Sequence, residues 1–368
     1  MTSSLTDNSK VDFLGLTSQE FDEVVQHWGF PKFRAQQIRD WVYDKTIVAP
    51  EGFENLSKSD REKLRELVNF GNSTTSAHQI SEDGTHKLLL EWADGAQAET
   101  VMIPDDDRRT ACVSSQVGCP VGCTFCASGI EGVKGNLTAD RIVEQVIALN
   151  LKLLAKPTSR GKQQKINHIV FMGMGEPLAN YANVMQAIHV LHDPKGLNIS
   201  ARKITLSTVG VPKRIRELAD EALPLNLAIS LHAPTEELRR QLIPWAEHFS
   251  IDDILDAARY YFTQTGREIT FEYILLAGVN DKPEHARQLV QVCKTIRANV
   301  NLLRYNEVES LPYQRPTSDA VMKFQDALRQ GGVNAHVRKS RGRDIDAACG
   351  QLRRRENDAR EPFVQIGA

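Results

Sequence analysis

The spacing of apolar positions changes along the chain, and the changes divide it into regions. Near the N-terminus, Phe21, Val24, Val25 and Trp28 recur at helical spacing. Thr17 and Glu20 form a capping-box pair ahead of them and Gly29 follows as a stop. A second helix is expected from about Pro31, carrying Ile38, Trp41 and Val42, and a third from Ser57 to Val68. Lys32, Arg34, Gln36, Gln37 and Arg39 stud the polar side of this helical module. Composition alone favours a solvated face for them, although a basic helical module beside an enzyme also suits RNA. The period then shortens. His78-Gln79-Ile80, Lys87 to Trp92 and Glu99 to Ile103 read as strands, with Asp83-Gly84 and Asp94-Gly95 as hairpin turns.

From about Arg109, strand and helix alternate. The strand candidates are Ala111–Ser115, His168–Gly173, Lys203–Ser207, Leu225–Leu231, Ile269–Leu275 and Val300–Arg304. Amphipathic helices are expected over Ala139–Leu154, Tyr181–Leu191, Pro212–Ala222, Asp252–Phe262 and Pro283–Ile296, with Thr138 and Ser250 as N-caps. Repeated β/α units imply a parallel sheet with helices outside it, and the units are too few to close an eight-fold barrel. The expected fold is therefore α/β, a partial (βα)6 barrel (109–352). It is preceded by a helical accessory domain (1–75) and a β-hairpin extension (76–108), and followed by a basic tail (353–368). In such barrels chemistry collects at the C-terminal ends of the strands.

Composition adds exclusions. The 368-residue chain is 41% apolar and 25% charged, and its N-terminus lacks an apolar signal core. No apolar run is long enough to span a bilayer, so a cytoplasmic protein with no membrane partner is expected. Six cysteines, three of them clustered, are not a disulfide framework at this length. The net charge of −2 announces no nucleic-acid partner, so any basic surface must be local. Two such places exist: the loop 155–165, equally a phosphate contact or a solvated linker, and the cluster of Arg338, Lys339, Arg341, Arg343, Arg353, Arg354 and Arg355.

The strongest chemical signal is Cys119, Cys123 and Cys126, spaced C-x3-C-x2-C with no fourth cysteine nearby. A structural zinc site would want four ligands. His168 is the nearest histidine downstream and no second ligand pair exists. Buried structural cysteines are the other plain reading. Three thiolates in a glycine-rich loop instead suit three corners of a [4Fe–4S] cube, leaving the fourth iron open. Further along, Ser207, Ser230-Leu231-His232 and Asn306 close successive strands, and Gly173-Met174-Gly175-Glu176-Pro177 follows the second. Polar groups at the same end of successive strands read as a cofactor pocket. Cys112 lies just ahead of the cluster motif. Cys349 sits among small residues in a charged segment, a context that suits a reactive thiol. Cys293, in an amphipathic helix, is assigned to packing.

The cysteine motif resembles the signature of the radical S-adenosylmethionine (SAM) superfamily. By that resemblance the open iron chelates SAM, Gly175 and Glu176 receive its amino group, and Ser207, Ser230, Leu231, His232 and Asn306 complete the cofactor site. More specifically, the chain resembles the RlmN/Cfr family, and within it RlmN. The likeness is carried by Phe30 to Gln37, Glu99 to Pro104, Cys112 to Cys119, the Gly-Met-Gly-Glu-Pro element and Asp344 to Leu352. It runs from about residue 12 to residue 352 and departs at 155–165, at Arg304-Tyr305 and in the tail. The resemblance implies methylation of adenosine C2 in 23S rRNA near the peptidyl-transferase centre and of adenosine 37 in tRNA. Two SAM molecules per turnover, an external low-potential donor such as flavodoxin or ferredoxin, and a monomer are expected with it. By the same resemblance Cys349 carries the methyl group, Glu99 takes the C2 proton, and Cys112 releases the product as a Cys112–Cys349 disulfide forms. A Cfr-like enzyme acting on C8 is the nearest rival, and an RNA-binding protein with a structural cluster is another. An activase of a glycyl-radical protein would have no use for the two cysteines.

Overall fold

The computed structural model describes residues 10–154 and 164–352. The N-terminal tip, most of the basic loop and the basic tail with Arg353, Arg354 and Arg355 lie outside the described residues.

The N-terminal module forms where the helical periodicity predicts it. Helix α1 (Ser18–His27) starts at Thr17, whose side chain and Glu20 make a reciprocal capping box. Helices α2 (Lys32–Arg39) and α3 (Lys58–Leu67) follow, and α2 continues into one π-helical turn through Trp41 and Val42. A short parallel pair, β1 (Val11–Asp12) with β2 (Val68–Asn69), closes the module. Two of its basic residues hold the helices together. Arg34 pairs with Asp60 at 2.7 Å, and buried Arg39 pairs with Asp22 at 2.6 Å. They are structural cations rather than free positive surface.

A single sheet runs through the rest of the described chain. Strands β3 (Thr74–Ile80), β4 (His86–Glu91), β5 (Gln97–Asp105) and β6 (Arg108–Cys112) pair antiparallel in sequence order. From β6 the sheet turns parallel. A small hairpin, β7 (Gln116–Gly118) with β8 (Val133–Asn136), frames the cysteine loop, and α4 (Ala139–Leu153) follows. Then come β9 (His168–Phe171), α5 (Tyr181–His192), β10 (Ile204–Thr208), α6 (Pro212–Asp220) and β11 (Asn226–Ser230). Helices α7 (Glu236–Leu242) and α8 (Ile251–Thr265) lead to β12 (Ile269–Leu275). The chain ends through α9 (Pro283–Lys294), β13 (Ala298–Arg304), α10 (Ser318–Gln330) and β14 (Asn334–Arg338). The order β14-β13-β12-β11-β10-β9-β6-β5-β4-β3 makes extension and barrel one continuous sheet, with β6 shared between them.

The structure refines the expected elements in three places. The first barrel strand ends at Cys112 rather than Ser115. Beyond it the Gln145 side-chain amide takes both the N–H and the carbonyl of Ser114, at 2.8 and 2.9 Å, which ends the ladder. Ser250 caps α8 in a full capping box, whereas Thr138 occupies the N-cap position of α4 without a capping bond. The unit α10–β14 adds a parallel strand beyond the six expected, and α7 is also additional.

Three apolar clusters divide the interior. The largest joins the module and the barrel and includes Cys293. A second lies under the cysteine loop, where Val121, Phe125, Val209, Leu242, Ile274 and Tyr305 pack beside Cys119, Cys123 and Cys126. The third is small and separate: Val101, Cys112, Met174, Ala347 and Leu352.

Candidate active site

Backbone geometry shapes the loop that carries the three clustered thiols. Gly118 has φ +79, and a Cβ there would lie 2.0 Å from the Gly132 carbonyl oxygen. Only glycine permits that approach. The three thiols line one side of a cavity that, with its open mouth, encloses about 820 Å3. Gly175, Glu176, Ser207, Ser230 and His232 line the same cavity. Gly175 has φ +107 and a Cβ would meet Ser115 Oγ at 2.7 Å, so the chain passes the cavity as bare backbone.

Glu176 is fixed by its neighbours. Its carboxylate accepts the backbone N–H groups of Leu178 and Val209, each at 2.9 Å. Burial pushes it up to about 7, against these bonds. The Val209 carbonyl in turn accepts Arg239 Nη2 at 2.5 Å, so the backbone of one residue links the carboxylate to a buried guanidinium. His232 adopts φ +58, and its Nδ1 accepts the Ile274 N–H at 3.0 Å. Burial, with Arg239 nearby, depresses it to about 3, so the ring is neutral. Ser207 and Ser230 place their hydroxyls 3.5 Å apart. Leu231 behaves differently. Its side chain belongs to the main core, and its N–H donates to the Glu272 carbonyl at 3.1 Å.

A second cavity, of about 630 Å3, adjoins the first. Cys112 and Asn306 line it, and Cys349, Arg338, Met172 and Leu303 line both cavities. Cys349 therefore stands on the wall between them. Asn306 donates to the Cys349 carbonyl at 3.4 Å and accepts from Arg315 at 2.9 Å, which ties it to the Cys349 segment. That segment is tied on both sides. Ser81 Oγ donates to Asp344 at 2.6 Å and Gly342 N donates to Asp83 at 3.0 Å. At its far end Ala127 N donates to the Gly350 carbonyl at 2.8 Å, and Ser128 Oγ donates to the Leu352 carbonyl at 2.6 Å. The β3–β4 turn and the cysteine loop thus hold the segment between them.

Cys112 is buried in the third apolar cluster, and burial followed by the neighbouring Cys349 sulfur pushes its thiol up to about 12. Glu99 lies on the same strand face as Val101, the residue paired with Cys112. Its carboxylate forms a buried ion pair with Lys87 at 3.0 Å, and Lys87 also donates to the Asp346 carbonyl at 3.3 Å.

The comparisons with known proteins agree with this arrangement. Residues 113–290 match the radical SAM superfamily, and residues 11–69 match the ribosomal RNA large subunit methyltransferase N-terminal domain. A probable dual-specificity RNA methyltransferase RlmN from Rhodopirellula baltica is 43% identical over 358 residues, covering 97% of this chain and 95% of the relative. One from Dictyoglomus turgidum is 42% identical, with 93% and 96% covered. The chain belongs to the RlmN family of radical SAM enzymes. The crystal structure of a radical SAM methyltransferase from Sphaerobacter thermophilus superposes with TM-score 0.88 at 40% identity, covering 93% of this chain and 99% of that one.

Radical SAM membership implies a [4Fe–4S] cluster and SAM, and the donor set fits them. Burial raises all three thiols, Cys119 to about 12, and Cys126 adds to the rise at Cys119 and Cys123. Buried thiolates this close need a cationic centre to offset them. Among the described residues no three His, Cys, Asp or Glu side chains converge on one ion position. Thiolates that each hold a different iron of a cube have no need to.

Sequence reasoning missed two residues of this RlmN-family site and misplaced a third. Glu272 lines the first cavity, buried, with one carboxylate oxygen bonded by Asn301 at 3.0 Å and the other without a hydrogen-bond partner. Its signal was available, since it is a charge inside the apolar strand Ile269–Leu275. Lys87 had no such mark. Arg338, read with the basic cluster, lines both cavities, whereas Lys339 and Arg341 line only the second.

Proposed function

We propose that this chain methylates C2 of adenosine in 23S rRNA near the peptidyl-transferase centre and in tRNA at adenosine 37. The observation that carries this reading is the position of Cys349 on the wall shared by the two cavities. One side faces the three clustered thiols and the other faces Cys112. The RNA methyltransferase names of the relatives support the same substrate class.

C2 of adenine has no lone pair, so simple displacement from SAM cannot methylate it. Cys119, Cys123 and Cys126 would hold the cluster and Gly175 and Glu176 the amino end of SAM; when bound, these groups supply a hydrogen-abstracting radical. The Cys349 sulfur takes a methyl group from one SAM by displacement. With a second SAM consumed, that S-methyl loses a hydrogen atom and its carbon adds to C2. The adduct gives up the C2 proton to Glu99 and one electron, which the cluster left oxidised by SAM cleavage would accept, leaving a Cys349–CH2–RNA thioether. Cys112 then attacks the Cys349 sulfur, and the carbon leaves with the bonding electron pair and takes a proton as the new methyl group. A Cys112–Cys349 disulfide remains and is reduced before the next cycle. The target base leaves its stack to reach the wall, which favours a loop nucleotide.

An external low-potential donor such as flavodoxin or ferredoxin, a monomeric state and a cytoplasmic location belong to the same proposal. Among the described residues no helix is long and apolar enough to cross a membrane. The test is mass spectrometry of nucleosides from RNA treated with the reconstituted enzyme. The expected product is 2-methyladenosine; 8-methyladenosine alone would give the Cfr-like alternative instead.

A further inference from the structure

Cys112 poses a problem for the reaction proposed above. It must attack as a thiolate, yet it sits in an apolar cluster with no water-rich surround, and burial raises its thiol to about 12. A neighbouring positive charge would relieve that cost. The cations around its cavity are Arg304, Arg338, Lys339 and Arg341. Arg341 is engaged with Asp105 at 3.4 Å, Arg304 donates to the Pro316 carbonyl at 3.1 Å, and Lys339 is exposed. The remaining nearby cation on the adjoining sheet, Lys87, is paired with Glu99.

Arg338 stands apart from these. It ends β14, paired in register with Leu303, and both residues reach the wall between the cavities. Its Nη1 lies 3.4 Å from Met172 Sδ, another wall residue. Cys112, Cys349 and Glu272 favour the charge on Arg338, and Arg338 in turn lowers the cost of negative charge on Cys112 and Glu272. The favoured charge on Arg338 is maintained although its own burial opposes it. Cys112 belongs to a different apolar cluster from the three clustered thiols, so this electrostatic contact is separate from cofactor ligation.

We propose that Arg338 is a positioning residue for the disulfide-forming step, standing on the wall beside Cys112 and Cys349 and offsetting part of the cost of negative charge on the attacking Cys112 sulfur. The proposal rests on the two-cysteine reading above. In that step the S–S bond forms, the S–CH2 bond breaks, and the leaving electron pair takes a proton; no further oxidant is required. Arg338 accompanies the negative charge on the attacking sulfur and is unchanged at the end.

The test begins with the full chain lacking its cluster, in which Cys112–Cys349 disulfide formation by glutathione disulfide is followed by peptide mass spectrometry from pH 6 to 10. Arg338→Gln is expected to shift the profile to higher pH and slow the reaction about tenfold near neutrality, as one unit of thiol acidity requires. Arg338→Lys is expected to restore most of it, and Arg338→Met to behave as the glutamine variant; thermal melts confirm folding of each. Unchanged profiles in both Gln and Met variants would overturn the proposal. So would a loss restricted to RNA affinity, which would return Arg338 to the phosphate-steering group. In reconstituted enzyme, Arg338→Gln should accumulate RNA-linked protein, the outcome also expected of Cys112→Ala. If Cys112→Ala itself carries no RNA, the two-cysteine reading fails, while the thiol profile still decides whether Arg338 controls Cys112.

Discussion

The two sets of cysteines to which the proposal gives chemistry are assembled in opposite ways. Cys119, Cys123 and Cys126 come from one short glycine-rich loop and line one cavity. Cys112 and Cys349 come from opposite ends of the barrel sequence and meet at the neighbouring cavity only because β6 and the 339–352 segment converge. The first set needs local backbone geometry, as the close approach of Gly118 to Gly132 shows. The second needs the whole sheet, and it rests on the β3–β4 turn, Lys87 and the cysteine loop acting together. The Cys349 side therefore leans on the backbone of the ligand loop at Ala127 and on the Ser128 side chain, but on none of the three ligand thiols.

The sharpest way to separate the two sets is Cys123→Ala. It should abolish iron–sulfur reconstitution, read as iron content and visible absorbance, while glutathione disulfide still forms the Cys112–Cys349 disulfide in the variant. Loss of that disulfide chemistry would show that the sets are not independent. Next in size is Lys87→Met. It removes the cation from a buried pair with Glu99 whose side chains are each 7% exposed, and it removes the bond to the Asp346 carbonyl. Breaking one half of a buried pair typically costs about 3–5 kcal/mol. The loss should appear in denaturant unfolding and should slow Cys112–Cys349 disulfide formation, with little effect on cluster loading. A surface-like loss below about 1 kcal/mol would remove Lys87 as an anchor of the transfer side.

A smaller effect is expected at His232, on the cofactor side. Its folded value of about 3 lies below the ordinary histidine value of 6.5. The unfolded chain therefore binds more protons between these values, and stability falls as pH drops below 6.5. The contribution from pH 6.5 to 5 is roughly 1.5 kcal/mol. Asparagine tolerates the left-handed backbone and can still accept the Ile274 N–H. In cluster-free protein, His232→Asn should flatten the acid limb of the stability curve by that amount. An unchanged acid limb would mean that His232 is not held neutral by burial.

The same contrast explains what was legible in the sequence. Contiguous features could be read directly: the cysteine spacing, the Thr17–Glu20 and Ser250 caps, the alternating strand and helix pattern, and the Gly175-Glu176 turn. The unit α10–β14 was missed because Asn334–Arg338 is a short, mostly polar strand at the sheet edge, without the apolar run that marks the inner strands. Its last residue was consequently read with a basic surface cluster. Lys87 was invisible for a related reason. Its partner on the neighbouring strand and the Asp346 carbonyl are brought to it by pairing register and chain closure, which leave no local spacing signal. Glu272 was the readable omission, a charge in the middle of a buried strand.

The most direct test of the account is Cys112→Ala expressed in cells that contain the substrate RNA, followed by a denaturing gel and nuclease digestion. In the proposed reaction Cys349 is the carrier and Cys112 the releasing thiolate. Cys112→Ala should therefore remain covalently attached to RNA through Cys349, and the double variant Cys112→Ala/Cys349→Ala should carry none. A Cys112→Ala protein free of RNA that still turns over at the normal rate would contradict the two-cysteine mechanism and the role assigned to the second cavity.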